Sequence, residues 1–171
     1  TWGGSYDGMV LQSVSVVNLA APPVSSKQYL PIIIAANATP PANPFQNPGF
    51  EQGRVIWSEY SLQGYNLIYL ASSTPIGAHE GSWLAWLGGD NNEHSELSQT
   101  VTISASAPYL RFWYYKGSAD VCGYDFFYVG VNGSFFYSET LCTSNNSGGW
   151  VEKVINLSPY VGTNKTVQFK V

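Results

Sequence analysis

Leu97-Ser-Gln-Thr-Val-Thr-Ile103 alternates apolar and polar side chains, the period of a strand with one buried face. Tyr109-Leu-Arg-Phe-Trp-Tyr-Tyr-Lys116 repeats the rhythm, with Leu110, Phe112 and Tyr114 on one side. Residues 124–131 and 134–139 flank Asn132-Gly133, a dipeptide whose tolerance of positive φ suits a tight type I′ hairpin. Residues 150–157 and 165–171 continue the series, and Val167, Phe169 and Val171 alternate with Thr166, Gln168 and Lys170. No helical period of useful length interrupts it. The expected fold is all-β: an antiparallel β-sandwich, a jelly roll, over residues 47–171.

Two further segments precede this domain. Residues 1–19 contain Gly8-Met-Val-Leu-Gln-Ser-Val-Ser-Val-Val-Asn-Leu19, a strand with a β-branched bias in which Gln12-Ser13 interrupts the apolar pattern and marks a bulge or an exposed turn of the face. Residues 20–46 read as a Pro-rich linker that carries a short apolar strand, Gln28 to Ala36.

Composition narrows the function. Charged residues are 11% and aromatics 15% of the 171 residues, and the net charge is −4. Seven basic residues supply no cationic footprint for nucleic acid. No apolar run approaches the roughly 20 residues of a membrane-spanning helix. An uncharged polar surface rich in Ser, Thr, Asn and Tyr suits a secreted, extracellular or cell-surface β-protein. Thr1 reads as the product of leader removal or as the edge of a fragment. Two cysteines, Cys122 and Cys142, allow one structural disulfide, with two unrelated thiols as the other reading. Five N-x-[ST] triplets begin at Asn37, Asn132, Asn145, Asn156 and Asn164, which are candidate glycosylation positions.

Catalytic patterns are weak. His79-Glu80 lacks a second His at helical spacing, His94-Ser-Glu96 lacks the cysteine pair of a zinc deaminase, and there is no Gly-x-Ser-x-Gly elbow. No enzyme is expected. Asp90, Glu93 and Glu96 read as a solvated loop before a calcium loop. Trp83, Trp86, Trp113 and Tyr115 are either core or a sugar-stacking platform.

A series of local patterns carries a resemblance. Asn47-Pro-Gly-Phe-Glu51, Gly81 to Gly89, Leu110 to Tyr115, Asp120 to Val129, Leu141-Cys142, Gly149-Trp-Val151 and Asn156 to Tyr160 occur in one order. Residues 45–171 thereby resemble the MAM-like, galactose-binding-like jelly-roll domains of secreted bacterial proteins, such as those appended to immune-inhibitor-A-type peptidases. The resemblance implies pairing of Cys122 with Cys142. It also implies a structural calcium on Glu51 and an Asp of the last strand, whose place Gln12 or Ser13 takes here. Such domains continue past the position of Val171 into one more strand, and residues 1–16 have the length and rhythm to be it, moved to the front.

A sandwich short of one strand presents an open ladder and an apolar groove. The arm carrying Met9, Val10, Leu11, Val14, Val16 and Val17 would fill it in cis, in trans by donor-strand complementation, or within a covalent tandem array. The expected function is a structural subunit of an extracellular filament whose partners are copies of itself. The alternative is a carbohydrate- or protein-binding accessory module of a secreted enzyme, with glycans as partners.

Overall fold

The computed structural model describes residues 8–19 and 42–171. The apolar segment 28–36 and Asn37 lie outside the described residues. Ten strands form two antiparallel five-stranded sheets packed face to face. In chain order they are β1 (Gly8–Val17), β2 (Ser58–Ser61), β3 (Ile68–Leu70), β4 (Trp83–Gly88), β5 (Ser95–Ile103), β6 (Tyr109–Gly117), β7 (Asp125–Val131), β8 (Ser134–Leu141), β9 (Val151–Asn156) and β10 (Gly162–Lys170). One sheet runs β3-β4-β1-β6-β9 and the other β2-β5-β10-β7-β8. The chain crosses between sheets at nearly every connection from β4 onward, the jelly-roll habit.

Alternation sorts each strand into a core and an outer face. Leu97, Val101 and Ile103 of β5, Leu110 and Phe112 of β6, and Val167 and Phe169 of β10 enter the core. At its centre the Phe112 ring meets Phe169 edge-on at 5.2 Å, and Phe127 stacks on Phe169 at 6.3 Å. Phe45, Phe50 and Trp57 close one flank, with Phe45 stacked on Trp57 at 5.5 Å. Each fully buried Phe contributes about 2–3 kcal/mol of apolar transfer, so this cluster anchors the two sheets.

The Asn132-Gly133 turn joins β7 to β8 with φ of 52° and 78°, as its residue types foretell. Two short strands escape the alternation rule. The Glu59 carboxylate accepts the backbone N–H of Leu67 at 2.6 Å and of Ile68 at 3.1 Å, and that contact seats β3 against β4.

Candidate functional site

β1 lies in the middle of its sheet, between β4 and β6. Its register with β4 runs from Gly8↔Gly88 to Leu11↔Ala85, and with β6 from Gly8↔Gly117 to Val17↔Tyr109. The β1–β6 ladder shifts between Gln12 and Ser15, and Ser13 adopts a φ of 53°. That bulge inverts the phase of the strand. Met9 and Leu11 face the core before it, and Val14 and Val16 face the core after it. Val17 is half-buried, whereas Val10 is buried on the opposite face. β1 carries no charged side chain, and a strand buried on both faces has no use for one.

Gln12 is fully buried on the outer side of the sheet. Its Oε1 accepts the backbone N–H of His79 at 2.5 Å and of Glu80 at 3.1 Å. Its Nε2 donates to the carbonyls of Glu80 and Trp83, the latter at 2.9 Å. The Ser13 hydroxyl donates to the Glu80 carboxylate. Four backbone groups thus hold the amide in one orientation, and β1 latches the segment between β3 and β4 onto the sheet. On the same face His79 stacks on Trp113 at 3.9 Å, and Trp150 Nε1 donates to the Gly77 carbonyl at 3.1 Å.

Glu51 completes this latch from the other side. Its carboxylate accepts the N–H of Ser82 at 3.0 Å and of Trp83 at 3.1 Å. The groups expected to hold calcium are engaged in hydrogen bonds here. The Gln12 amide turns its hydrogens, not an oxygen, toward the two carbonyls, and Glu51 is occupied by backbone donors. Among the described residues no group of three or more His, Cys, Asp and Glu is placed to hold a metal ion. The acids of the 90–96 loop are likewise engaged separately: Asp90 accepts the Tyr65 hydroxyl at 2.7 Å, Glu93 the Ser95 hydroxyl at 2.9 Å, and Glu96 the Gln168 amide at 2.8 Å.

Beside the latch the outer face forms a cleft of about 340 Å³, lined by Gly8, Val10, Pro75, Ile76, Trp86 and Tyr115 among others. Trp86, Trp113 and Tyr115 are half-buried on this face, while Trp83 packs against the core. The Trp86 indole nitrogen is buried without a hydrogen-bond partner among the described residues, pressed over Gly8 and Gly89.

Cys122 and Cys142 form a disulfide with their Cα atoms 4.8 Å apart. It ties the β6–β7 connection to the end of β8. Close by lies a cluster that sequence reasoning passed over. Lys116 Nζ, on a side chain 6% exposed, donates to Glu139 at 2.7 Å and to Asn145 Oδ1 at 2.7 Å. Tyr137 and Tyr114 donate their hydroxyls to Glu139, the latter at 3.4 Å, and Lys153 Nζ stands 3.5 Å away. Burial pushes the Glu139 carboxyl up, but the hydrogen bonds from Lys116 and Tyr137 and the two lysine charges outweigh it and hold the group below its ordinary value. The same carboxylate, with burial first, pushes the Tyr137 hydroxyl strongly upward. The signal for Lys116 was present in the alternation, since it follows Leu110, Phe112 and Tyr114 on the core face of β6.

The candidate glycosylation residues differ in setting. Asn132 accepts the Thr166 N–H at 2.9 Å within its turn, and Asn156 accepts the Ser158 N–H at 2.8 Å. Asn164 is exposed at the β10 bulge. Asn145 donates its Nδ2 to the Thr140 carbonyl at 2.7 Å.

Comparison with protein-family models, with curated proteins and with solved structures gives no match.

Proposed function

We propose that this chain is a structural subunit of an extracellular fibre or surface filament. Strand β1 of one module completes the β3-β4-β1-β6-β9 sheet of another, in trans or along a tandem array. The observation that carries the reading is the position of β1. It is central in its sheet, remote in sequence from both neighbours, and free of charge on either face. Withdrawing a central strand opens two ladders and uncovers Met9, Leu11, Val14 and Val16 sites in the core. A slot of that kind takes up a strand of the same sequence from any copy that supplies it. A heterologous contact of this type propagates into a filament where its rotation does not close. The disulfide and the charge-poor surface support a location outside the cell. The resemblance of residues 45–171 to jelly-roll modules of secreted proteins belongs to the same reading.

The full chain should form fibres visible by electron microscopy. Protein lacking residues 1–19 should not, and a synthetic peptide spanning residues 8–19 should bind it stoichiometrically. Fibres formed equally well by the truncated protein would end the proposal.

One observation favours a second reading, a carbohydrate- or protein-binding accessory module without catalytic activity of its own. Trp86, Trp113, Tyr115 and Trp150 share one face with a cleft beside them. Saturable glycan binding by a monomer, lost in Trp113→Ala, would support it over the filament.

A further inference from the structure

Buried ammonium groups usually need one carboxylate, but Lys116 has two partners of different chemistry at the same 2.7 Å distance, the Glu139 carboxylate and the Asn145 side-chain carbonyl. We propose that Lys116 and Asn145 join covalently, as an intramolecular amide between Nζ and Cγ, with Glu139 carrying the proton. The amine contacts Oδ1, the atom bonded to the carbon it would attack. The amide plane is pinned from its other end, because Nδ2 donates to the Thr140 carbonyl at 2.7 Å. Two groups held in this way react as if at very high local concentration, on the order of 10⁵ M or more for well-aligned pairs.

The chemistry balances without an oxidant or added cofactor. Lys116 gives a proton to Glu139, and the freed lone pair forms the Nζ–Cγ bond. The Cγ–Nδ2 bond breaks as the tetrahedral centre collapses, and the proton passes from Glu139 to the departing nitrogen. A second Nζ proton goes to the same leaving group, so ammonium is released, the Glu139 carboxylate is regenerated and a neutral secondary amide remains. Lys153 stands 3.5 Å from Glu139, so a positive charge faces the carboxylate after Lys116 has lost its own. Tyr114 and Tyr137 donate to the same carboxylate and hold it in place.

The bond would link the end of β6 in one sheet to the segment that follows β8 in the other, beside the Cys122–Cys142 disulfide. It excludes a glycan on Asn145, since the cross-link expels the Nδ2 that would carry one. The inference does not depend on whether β1 pairs in cis or in trans.

Mass spectrometry of the full chain, reduced and denatured, is the test. The expected mass is one ammonia, about 17 Da, below that of the sequence. Digestion should give a branched peptide in which Lys116 is joined to Asn145, with no tryptic cleavage after Lys116. Lys116→Arg, Asn145→Ala and Glu139→Gln should each restore the full mass. Wild-type protein at full mass would overturn the proposal. So would an ammonia loss confined to a linear peptide containing Asn145, the mark of a succinimide, or a glycan on Asn145. The wild-type measurement decides the matter even where a variant fails to fold.

Discussion

Gln12 shows what a single side chain does when both ends of its amide are used. Truncating it strands two N–H groups and two carbonyls of the 79–83 segment, partly buried against the sheet. Unpaired buried groups cost about 1–3 kcal/mol each, with water recovering part of that. Gln12→Ala should therefore lower unfolding free energy by about 2–4 kcal/mol, measured by chemical denaturation with an unchanged m-value. Glu139 gives a pH prediction of known sign. In Asn145→Ala, which leaves Lys116 as an ammonium, the folded Glu139 carboxyl sits below its ordinary value. A depressed carboxyl contributes stability that is fully present above the unfolded value near 4.5 and is lost as pH falls below it. Stability of Asn145→Ala should decline from about pH 5 downward, and Glu139→Gln in the same background should flatten that decline.

Among the elements, β1 depends on a row of glycines at its start. Gly8 stands opposite Gly88 on one side and Gly117 on the other. A Cβ on Gly8 would lie 2.5 Å from Trp86 Nε1 and 2.7 Å from the Leu87 carbonyl, and the latter is backbone that cannot swing away. Gly8→Ala should cost about 1–3 kcal/mol by denaturation and weaken docking of β1, whereas Gly149→Ala, which meets nothing within 4 Å, should be neutral. Legibility varied among the elements for physical reasons. β5, β6, β10 and the β7–β8 hairpin announce themselves, because one buried face imposes a period of two. β4 does not: Leu84 and Ala85 are both buried, so its run Trp83-Leu-Ala-Trp-Leu-Gly88 loses the alternation. β2 and β3 are four and three residues long, and β3 depends on the Glu59 carboxylate rather than on its own pattern. The interruption at Gln12-Ser13 pointed to a bulge or an exposed turn, and the fold makes it a bulge. Its partners at residues 79–83 are joined to it only through the fold, and local patterning carries no trace of them.

At the scale of the molecule, two sheets are held by an aromatic core, one disulfide and an inter-sheet cluster around Glu139. Amphipathic alternation revealed the first and cysteine arithmetic the second. The third is assembled only by the fold, because Lys116, Glu139, Lys153 and Asn145 come from β6, β8, β9 and the turn after β8. Outer-face aromatics were equally hard to place. Trp86, Trp113 and Tyr115 are half-buried by a segment that crosses the sheet, which gives them the hydrophobicity of core residues without membership of the core.

The chain leaves β1 and returns at the same place: Asn43 donates to the Val14 carbonyl at 3.1 Å and accepts the Val16 N–H at 3.3 Å. Exit and re-entry are neighbours, so exchanging β1 between copies would preserve every pairing made by a self-filled one. Enthalpy then scarcely distinguishes a closed monomer from an open chain of modules. The balance falls to effective concentration, on the order of millimolar for a strand on a short tether, against the concentration of free copies. Dilute protein should close on itself, and crowded protein should polymerise. The barrier between the two is the unpicking of a central strand, so whichever state forms first persists.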